Sequence, residues 1–301
     1  MSCAEYSASF LAPRMPPPQS HPQLSRAARA HPDDDDARKR DIQRTTLVAV
    51  ATNATLAVAQ FVIGLFANAF SLVADAAHTL SDLVTDLLVL LAARHGADPA
   101  DINHPYGHGR IETATTMVLG AVLAAVGVGF LWNSGLRLQN MNALPDLHPV
   151  ALGVAVLTLI AKESLFRFTL AAAHRLKAPL LEANAWHARS DAASSLVVAV
   201  GIGGSLAGYP FLEPLAAAVV GFLILHMGLR LGWTAIRELI DTGVSEQELE
   251  HLRQTIEQTP GVIGLHEMRT RRMAGRVLCD AHVQVAPRLT VSEGHRVSDS
   301  V

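Results

Sequence analysis

Two segments of the chain carry a histidine and an aspartate four residues apart in otherwise apolar surroundings. The first pair is His78 and Asp82, and the second is His187 and Asp191. Side chains four residues apart on an α-helix lie on one face, so each pair points toward one place. Two such helices facing each other would offer two imidazole nitrogens and two carboxylate oxygens, a tetrahedral donor set that suits Zn²⁺. A single pair could instead be an intrahelical hydrogen bond, but the repeat favours a metal site.

A third segment places one carboxylate and two imidazoles close together in sequence, at Asp101, His104 and His108. Pro105 and Gly107 are turn residues that could bring these side chains together. We therefore predict a second metal site in this loop. The alternative is a polar turn that happens to be rich in histidine.

The apolar stretches also hold ionisable residues outside the two pairs, namely Asp75, Asp86, Lys162, Glu163, Arg167 and Arg189. Ionisable groups at membrane depth are functional candidates by default. Asp75 is interpreted as a group that supports the site or attracts metal toward it. Asp86 is expected to pair with Lys162 or Arg189. The charged residues within 162–167 are expected to form ion pairs that hold spans together.

The surroundings of these residues indicate an integral membrane protein. Of 301 residues, 50% are hydrophobic and 17% are charged, whereas soluble domains carry roughly 25% charged residues. The apolar residues are concentrated in stretches of a length that suits membrane-spanning helices, which need about 20 residues. We place six spans at about 45–67, 70–93, 113–136, 150–174, 181–206 and 213–234.

Lysine and arginine are concentrated in the connections on one side of these spans. That side carries Arg38, Lys39, Arg40, Arg44, Arg94, Arg110, Arg175, Lys177, Arg230 and Arg237. The short connections on the other side carry Arg137 alone. Because positive residues favour the cytoplasmic side, we predict that both termini are cytoplasmic. The predicted location is the plasma (inner) membrane.

The chain divides into three predicted regions. Residues 1–40 are proline-rich and contain the acidic run Asp33 to Asp36, which predicts a disordered cytoplasmic tail. Residues 41–240 form the six-helix transmembrane domain. Residues 241–301 form a small cytoplasmic α+β domain.

The cytoplasmic region shows helix and strand signals in turn. Ser245 and Glu248 form a capping box that opens a helix ending near residue 258. Residues 262–270 and 277–285 alternate as strands, and a second helix begins near Val291. These elements bury little surface, so we expect that the unit needs a partner chain or has been cut short.

Several classes of protein are excluded by composition. A net charge of −3 argues against nucleic-acid binding through bulk positive charge. Two cysteines, Cys3 and Cys279, cannot form a disulfide framework. His266-Glu267 lacks the second histidine of a zinc hydrolase motif, so no enzymatic activity and no organic cofactor are predicted.

Taken together, four segments resemble the cation diffusion facilitator family of six-span divalent-metal/proton antiporters, and the resemblance covers residues 42–301. These segments are 71–82, 104–112, Lys162-Glu163 and 184–191. The resemblance implies a homodimer that alternates between inward-open and outward-open states. It also implies a metallochaperone-like αββαβ cytoplasmic domain for dimerisation and metal binding. That domain would be incomplete here, because the chain stops before the rest of its second helix and its final strand.

The resemblance also implies three sets of metal ligands. The transport set is His78, Asp82, His187 and Asp191, the loop set is Asp101, His104 and His108, and the cytoplasmic set is His266, His282 and His295.

The predicted function is export of a divalent cation from the cytoplasm in exchange for protons. Zn²⁺ is the first choice because two of the four transport ligands are imidazoles, while Cd²⁺, Co²⁺, Ni²⁺ and Fe²⁺ remain open. The alternative is a metal-sensing or non-transporting membrane subunit that binds metal without moving it.

Overall fold

The chain forms six long helices followed by a small α+β unit. The computed structural model describes residues 32–96, 101–141, 144–273 and 275–301; the rest of the predicted tail, residues 1–31, lies outside them. The six long helices are α1 (Pro32–Phe66), α2 (Phe70–Gly96), α3 (Arg110–Gln139), α4 (Val150–Leu176), α5 (Pro179–Leu206) and α6 (Leu212–Leu239). Each predicted apolar stretch falls on one of these helices.

The first helix begins earlier than the sequence suggested. Residues 32–40 were assigned to the disordered tail, but α1 already starts at Pro32. Proline is well suited to the first helical position, because its backbone angle is already helical and it has no N–H to leave unpaired. The acidic run, whose composition is typical of a disordered tail, therefore lies at the start of helix α1.

Three of the six helices are long and apolar enough to cross a membrane, as judged over the described residues. They are residues 40–66 of α1, the whole of α3 and the whole of α6. The other three, α2, α4 and α5, carry the ionisable residues singled out above. The count of six spans therefore stays a prediction.

The closest packing in the bundle is between α3 and α6. A Cβ atom added at Gly228 would lie 2.5 Å from the backbone nitrogen of Ala124, and one at Gly127 would lie 2.5 Å from that of Leu225. Glycine at these positions thus allows the two backbones to approach each other directly, as is common where helices pack inside membranes. One apolar core, including Leu72, Val198, Ile202, Val220 and Ile224, joins this pair to the other helices.

Helix α6 also fixes the start of α2. The carboxylate of Glu213, in the first turn of α6, is buried and accepts a hydrogen bond of 2.7 Å from the backbone N–H of Ser71. Ser71 lies in the first turn of α2, where backbone N–H groups have no partner within their own helix. A carboxylate from a neighbouring helix therefore serves as the cap of α2.

The cytoplasmic unit has the order helix, strand, strand, helix. Its elements are α7 (Glu246–Glu257), β1 (Gly264–Met273), β2 (Arg276–Gln284) and α8 (Val291–Ser300), and the two strands are antiparallel. The predicted Ser245–Glu248 capping box is present, and Thr290 and Glu293 form a second one at α8. Within the described residues, α7 buries only Ile256 and α8 buries none. A unit with so little core of its own leaves most of its surface open to a partner.

The α3–α6 contact makes a stability prediction. Gly228→Ala should lower the melting temperature in detergent, because the added methyl meets backbone on the facing helix and overpacking costs about 1–3 kcal/mol. Gly129→Ala on α3 is the matched control, since a Cβ there meets nothing within 4 Å. Equal melting temperatures for the two variants would contradict the close contact.

Candidate metal sites

Helices α2 and α5 bring three of the four predicted transport ligands together. His78 and Asp82 lie one turn apart on α2, and Asp191 faces them from α5. One ligand atom from each of the three lies within 4.8 Å of the others. His78 and Asp191 are buried, at 9% and 6% exposure. The arrangement is a compact cluster of one imidazole and two carboxylates between two helices.

Two atoms of this cluster have no hydrogen-bond partner although they are buried. They are Nδ1 of His78 and Oδ2 of Asp82, which lie 4.0 Å apart. Buried polar atoms without a partner are rare, because leaving one unsatisfied costs about 1–3 kcal/mol. A divalent cation is the natural partner for both atoms at once, so the donor set fits a metal ion.

His187 lies one turn before Asp191 on α5 but is not part of this compact group. Its side chain is exposed and lines a cleft of about 80 Å³ together with Asp82, Asp191 and Asn184. The i, i+4 spacing places His187 on the same face of α5 as Asp191. The distance from His187 to the ligands on α2, however, depends on how the two helices pack. The structure thus brings the fourth predicted ligand to the edge of the site.

The cleft lies toward one end of the bundle. Its walls come from residues 46–53 near the middle of α1, 79–86 near the middle of α2, the second half of α4 and the first half of α5. On α4 and α5 these positions lie on the side of the bundle that carries the α2–α3 loop. Asp82 and Asp191 of the three-residue cluster line this cleft.

Asp86 lines the same cleft rather than forming either of its predicted ion pairs. Lys162 pairs with Asp75 instead, with 3.5 Å between Nζ and Oδ2. The guanidinium of Arg189 lies over the ring of Phe166, 4.9 Å from its centroid. These two assignments were wrong because the sequence does not show which helices are neighbours at a given depth.

The charged residues at 162–167 do not form one set. Lys162 is buried and reaches α2, as expected for a residue that holds spans together. Glu163 and Arg167 pair with each other along α4, with 2.8 Å between Oε1 and Nε. Arg167 is 76% exposed, so this second pair contributes little to packing between helices.

The α2–α3 loop brings its three predicted ligands together. Oδ1 of Asp101 accepts hydrogen bonds from the backbone N–H of His104 and of Asn103, at 2.6 and 2.9 Å. Nε2 of His108 lies 3.5 Å from the other carboxylate oxygen. The hydrogen bond from the His104 backbone, the largest influence, holds the pKa of Asp101 below its ordinary range. The loop therefore presents an ionised carboxylate between two imidazoles.

The cytoplasmic histidines are only partly brought together. His266 and His282 are direct cross-strand neighbours, with ring centroids 5.1 Å apart. His295 lies apart from them on α8, where its Nε2 is 3.7 Å from Asp299. The third member of this cluster is Glu267, whose Oε2 lies 3.8 Å from Nδ1 of His282.

Sequence reasoning missed Glu267 because strand alternation would place it on the opposite face from its neighbour His266. The strand is irregular between His266 and Arg269, and Glu267 has a φ of 52°. A bulge of this kind turns one side chain toward the other face of the sheet. No signal in the sequence marks this bulge.

Comparison with known proteins identifies the class to which this arrangement belongs. Residues 46–240 match the domain family described as cation efflux transmembrane domain, and residues 244–301 match the cation efflux protein cytoplasmic domain. A helical membrane domain with a cytoplasmic α+β unit of this kind defines a membrane transporter. The chain belongs to the cation diffusion facilitator, or cation efflux, family, which confirms the resemblance noted in the sequence.

Several curated relatives are similar over most of this chain. Metal tolerance protein C1 of Arabidopsis thaliana is 39% identical over 260 residues, covering 82% of this chain and 55% of that protein. Metal tolerance protein 2 of Oryza sativa subsp. japonica is 34% identical, covering 86% and 73%. Magnetosome protein MamB of Magnetospirillum gryphiswaldense is 31% identical, covering 80% of each. The chain thus spans about half the length of the first of these relatives.

The loop geometry makes a prediction about metal binding. Asp101→Ala should weaken Zn²⁺ binding to the loop by more than about tenfold, because a charged ligand is lost together with the acceptor that orders the turn. Calorimetry on the full chain with His78→Ala and His282→Ala in the background would remove a ligand from each of the other two clusters and so isolate the loop. Asn103→Ala is the control, because Asn103 contributes to the turn through its backbone N–H.

The same loop has an expected pH dependence. Because the pKa of Asp101 is lowered, its stabilising charge is lost only when the pH falls through that lowered value, and it is fully present at about pH 5.5. Loss of the Asp101 charge should therefore contribute nothing to any change in Zn²⁺ binding between about pH 7.5 and 5.5. An NMR signal of the Asp101 carboxyl carbon that stays constant over this range would agree with this, and one that titrates within it would contradict it.

Proposed function

We propose that the chain exports Zn²⁺ from the cytoplasm in exchange for protons, with His78, Asp82, His187 and Asp191 as the transport site. The observation that carries this proposal is the buried group of His78, Asp82 and Asp191, with two unpartnered ligand atoms and with both carboxylates lining a cleft. The names of the two metal tolerance relatives support metal transport as the activity.

The charge of the site suits a dication. Neutral imidazoles with two ionised carboxylates give a net charge of −2, which offsets the desolvation of a divalent ion in the apolar interior. Movement of α5 or a change of the His187 rotamer supplies the fourth ligand. Imidazole at two of four positions favours Zn²⁺ and Cd²⁺ over Mg²⁺, Ca²⁺ and Mn²⁺, and leaves Co²⁺, Ni²⁺ and Fe²⁺ open.

Proton coupling uses the same atoms as metal binding. Only the neutral imidazole and the ionised carboxylate bind metal, so protons and Zn²⁺ compete for the site. Protons that enter from outside eject the metal, and the protonated site returns to face the cytoplasm. One set of four residues can in this way couple two opposite fluxes.

The proposal includes an orientation and an assembly. We place six spans in the membrane with both termini cytoplasmic, so that the cleft and the two other histidine clusters face the metal supply. The chain works as a homodimer that alternates between inward-open and outward-open states. The thin core of the cytoplasmic unit, with Ile256 as the buried residue of α7, suits a domain that dimerises.

The test is Zn²⁺ flux into proteoliposomes with an imposed pH gradient. His78→Ala should reduce the rate by at least about tenfold, because a ligand of the cluster is lost. His226→Ala is the matched control, since His226 is exposed and stacks on Phe222 of its own helix, away from the cleft. Full transport by His78→Ala would refute the site. A wild-type chain that binds Zn²⁺ but moves none under any gradient would favour the non-transporting subunit instead.

Selectivity gives an independent test in the same assay. His78→Asp replaces a nitrogen donor by oxygen, so the rate for Mn²⁺ relative to Zn²⁺ should rise. Unchanged relative rates would mean that the imidazole of His78 does not select the metal.

A further inference from the structure

An ion pair lies in the interior of the bundle, separate from the three histidine clusters. Asp75 on α2 and Lys162 on α4 are 0% and 1% exposed, and Lys162 is among the largest side chains that are fully buried. Asp75 was expected to support the site or to attract metal toward it, and its complete burial argues against the second role. An ion pair so deeply buried is expensive to form, which raises the question of what it does.

The pair joins four helices. The carboxylate accepts hydrogen bonds from Gln60 on α1 and from Ser194 and Ser195 on α5, at 2.5, 3.1 and 2.7 Å. The ammonium group donates to Thr79 on α2 at 3.0 Å. Helices α1, α2, α4 and α5 are the same four that line the cleft. The network therefore holds together the elements that carry the transport site.

The network also reaches the ligands themselves. Thr79 directly follows His78, and the hydroxyl of Ser194 shares its one proton between the carboxylate of Asp75 and the backbone carbonyl of Asp191, at 3.1 and 2.8 Å. Contacts on both sides of the site connect the pair to the proposed metal ligands.

Charge neutrality is the property that the pair contributes. With Asp75 and Lys162 both ionised, their charges cancel, and the cluster presents the −2 charge of Asp82 and Asp191 to the metal. Removal of the ammonium alone would add an uncompensated negative charge near the site. Removal of the carboxylate charge alone would leave a positive one. In a low-dielectric interior such charges act over several ångströms.

We infer that Asp75 and Lys162 are positioning residues that set the charge felt at the transport site, so that their removal changes metal affinity in opposite directions. This inference rests on the proposed function, because it takes His78, Asp82 and Asp191 as the metal site. Lys162 keeps the site from holding the dication too tightly to release it, and Asp75 keeps Lys162 from repelling the dication.

The experiment compares Lys162→Met, Asp75→Asn and the double variant. We measure the Zn²⁺ dissociation constant in detergent together with KM and kcat in proteoliposomes. Lys162→Met should lower the dissociation constant and KM by at least about fivefold and also lower kcat, because release is slowed. Asp75→Asn should raise the dissociation constant and KM by at least about fivefold. The double variant should return to within about threefold of wild type.

The controls separate charge from folding. Arg167→Met removes a positive charge from the exposed side of α4 and should leave both constants unchanged. Lys162→Arg keeps the charge and should keep the wild-type affinity. If Lys162→Met does not fold, the effect of losing Lys162 is measured by comparing Asp75→Asn with the double variant. The double variant must then have the lower dissociation constant.

The outcomes distinguish the two proposals. The inference would be overturned if both single variants changed the Zn²⁺ dissociation constant in the same direction and also lowered the melting temperature. The pair would then be structural only. Wild-type binding that is insensitive to His78→Ala would overturn the proposed site instead. Binding that depends on His78 but not on the charges at 75 and 162 would overturn the inference alone.

Discussion

The free-energy cost of burying charges inside an apolar helix bundle is the constraint on which the arrangement of this protein depends. An unpaired ion in such an interior costs several kcal/mol, so each one needs a partner of opposite charge or a bound ion. Asp75 and Lys162 meet this requirement within the protein, through their ion pair and hydrogen bonds with α1, α2 and α5. His78 and Asp82 do not, and each retains a buried atom without a hydrogen-bond partner. The same constraint thus distinguishes a pair that is satisfied within the protein from the group, one helical turn away, that we propose binds the metal.

The bundle uses two different kinds of contact for two parts of its structure. Helices α3 and α6 approach through glycine, backbone against backbone, and contribute nothing to the lining of the cleft among the described residues. The other four helices meet around a polar network that includes the metal cluster. Glu213 connects the two parts, since it lies on α6 and caps the first turn of α2. Close apolar packing suits a fixed scaffold, whereas the site that we propose for the metal lies among polar contacts.

Much of this architecture could be predicted from the sequence, because it depends on residues near one another in the chain. The apolar stretches gave six helices, and the Ser245–Glu248 box gave the start of α7. The spacing of His78 and Asp82 placed both on one face of α2, and the short loop brought Asp101, His104 and His108 together. Helix periodicity, caps and turns act over a few residues, and so their patterns can be read without a structure.

What the sequence could not supply were the relations between segments far apart in the chain. Lys162 pairs with Asp75 rather than Asp86, His187 lies at the edge of the cluster, and a bulge brings Glu267 beside His282. His295 lies on a helix with Asp299 instead of with the other cytoplasmic histidines. The sequence by itself determined which residue types are available on which helix face. Only the tertiary structure decided which of them meet, because helix packing and strand irregularity set distances that no local pattern encodes.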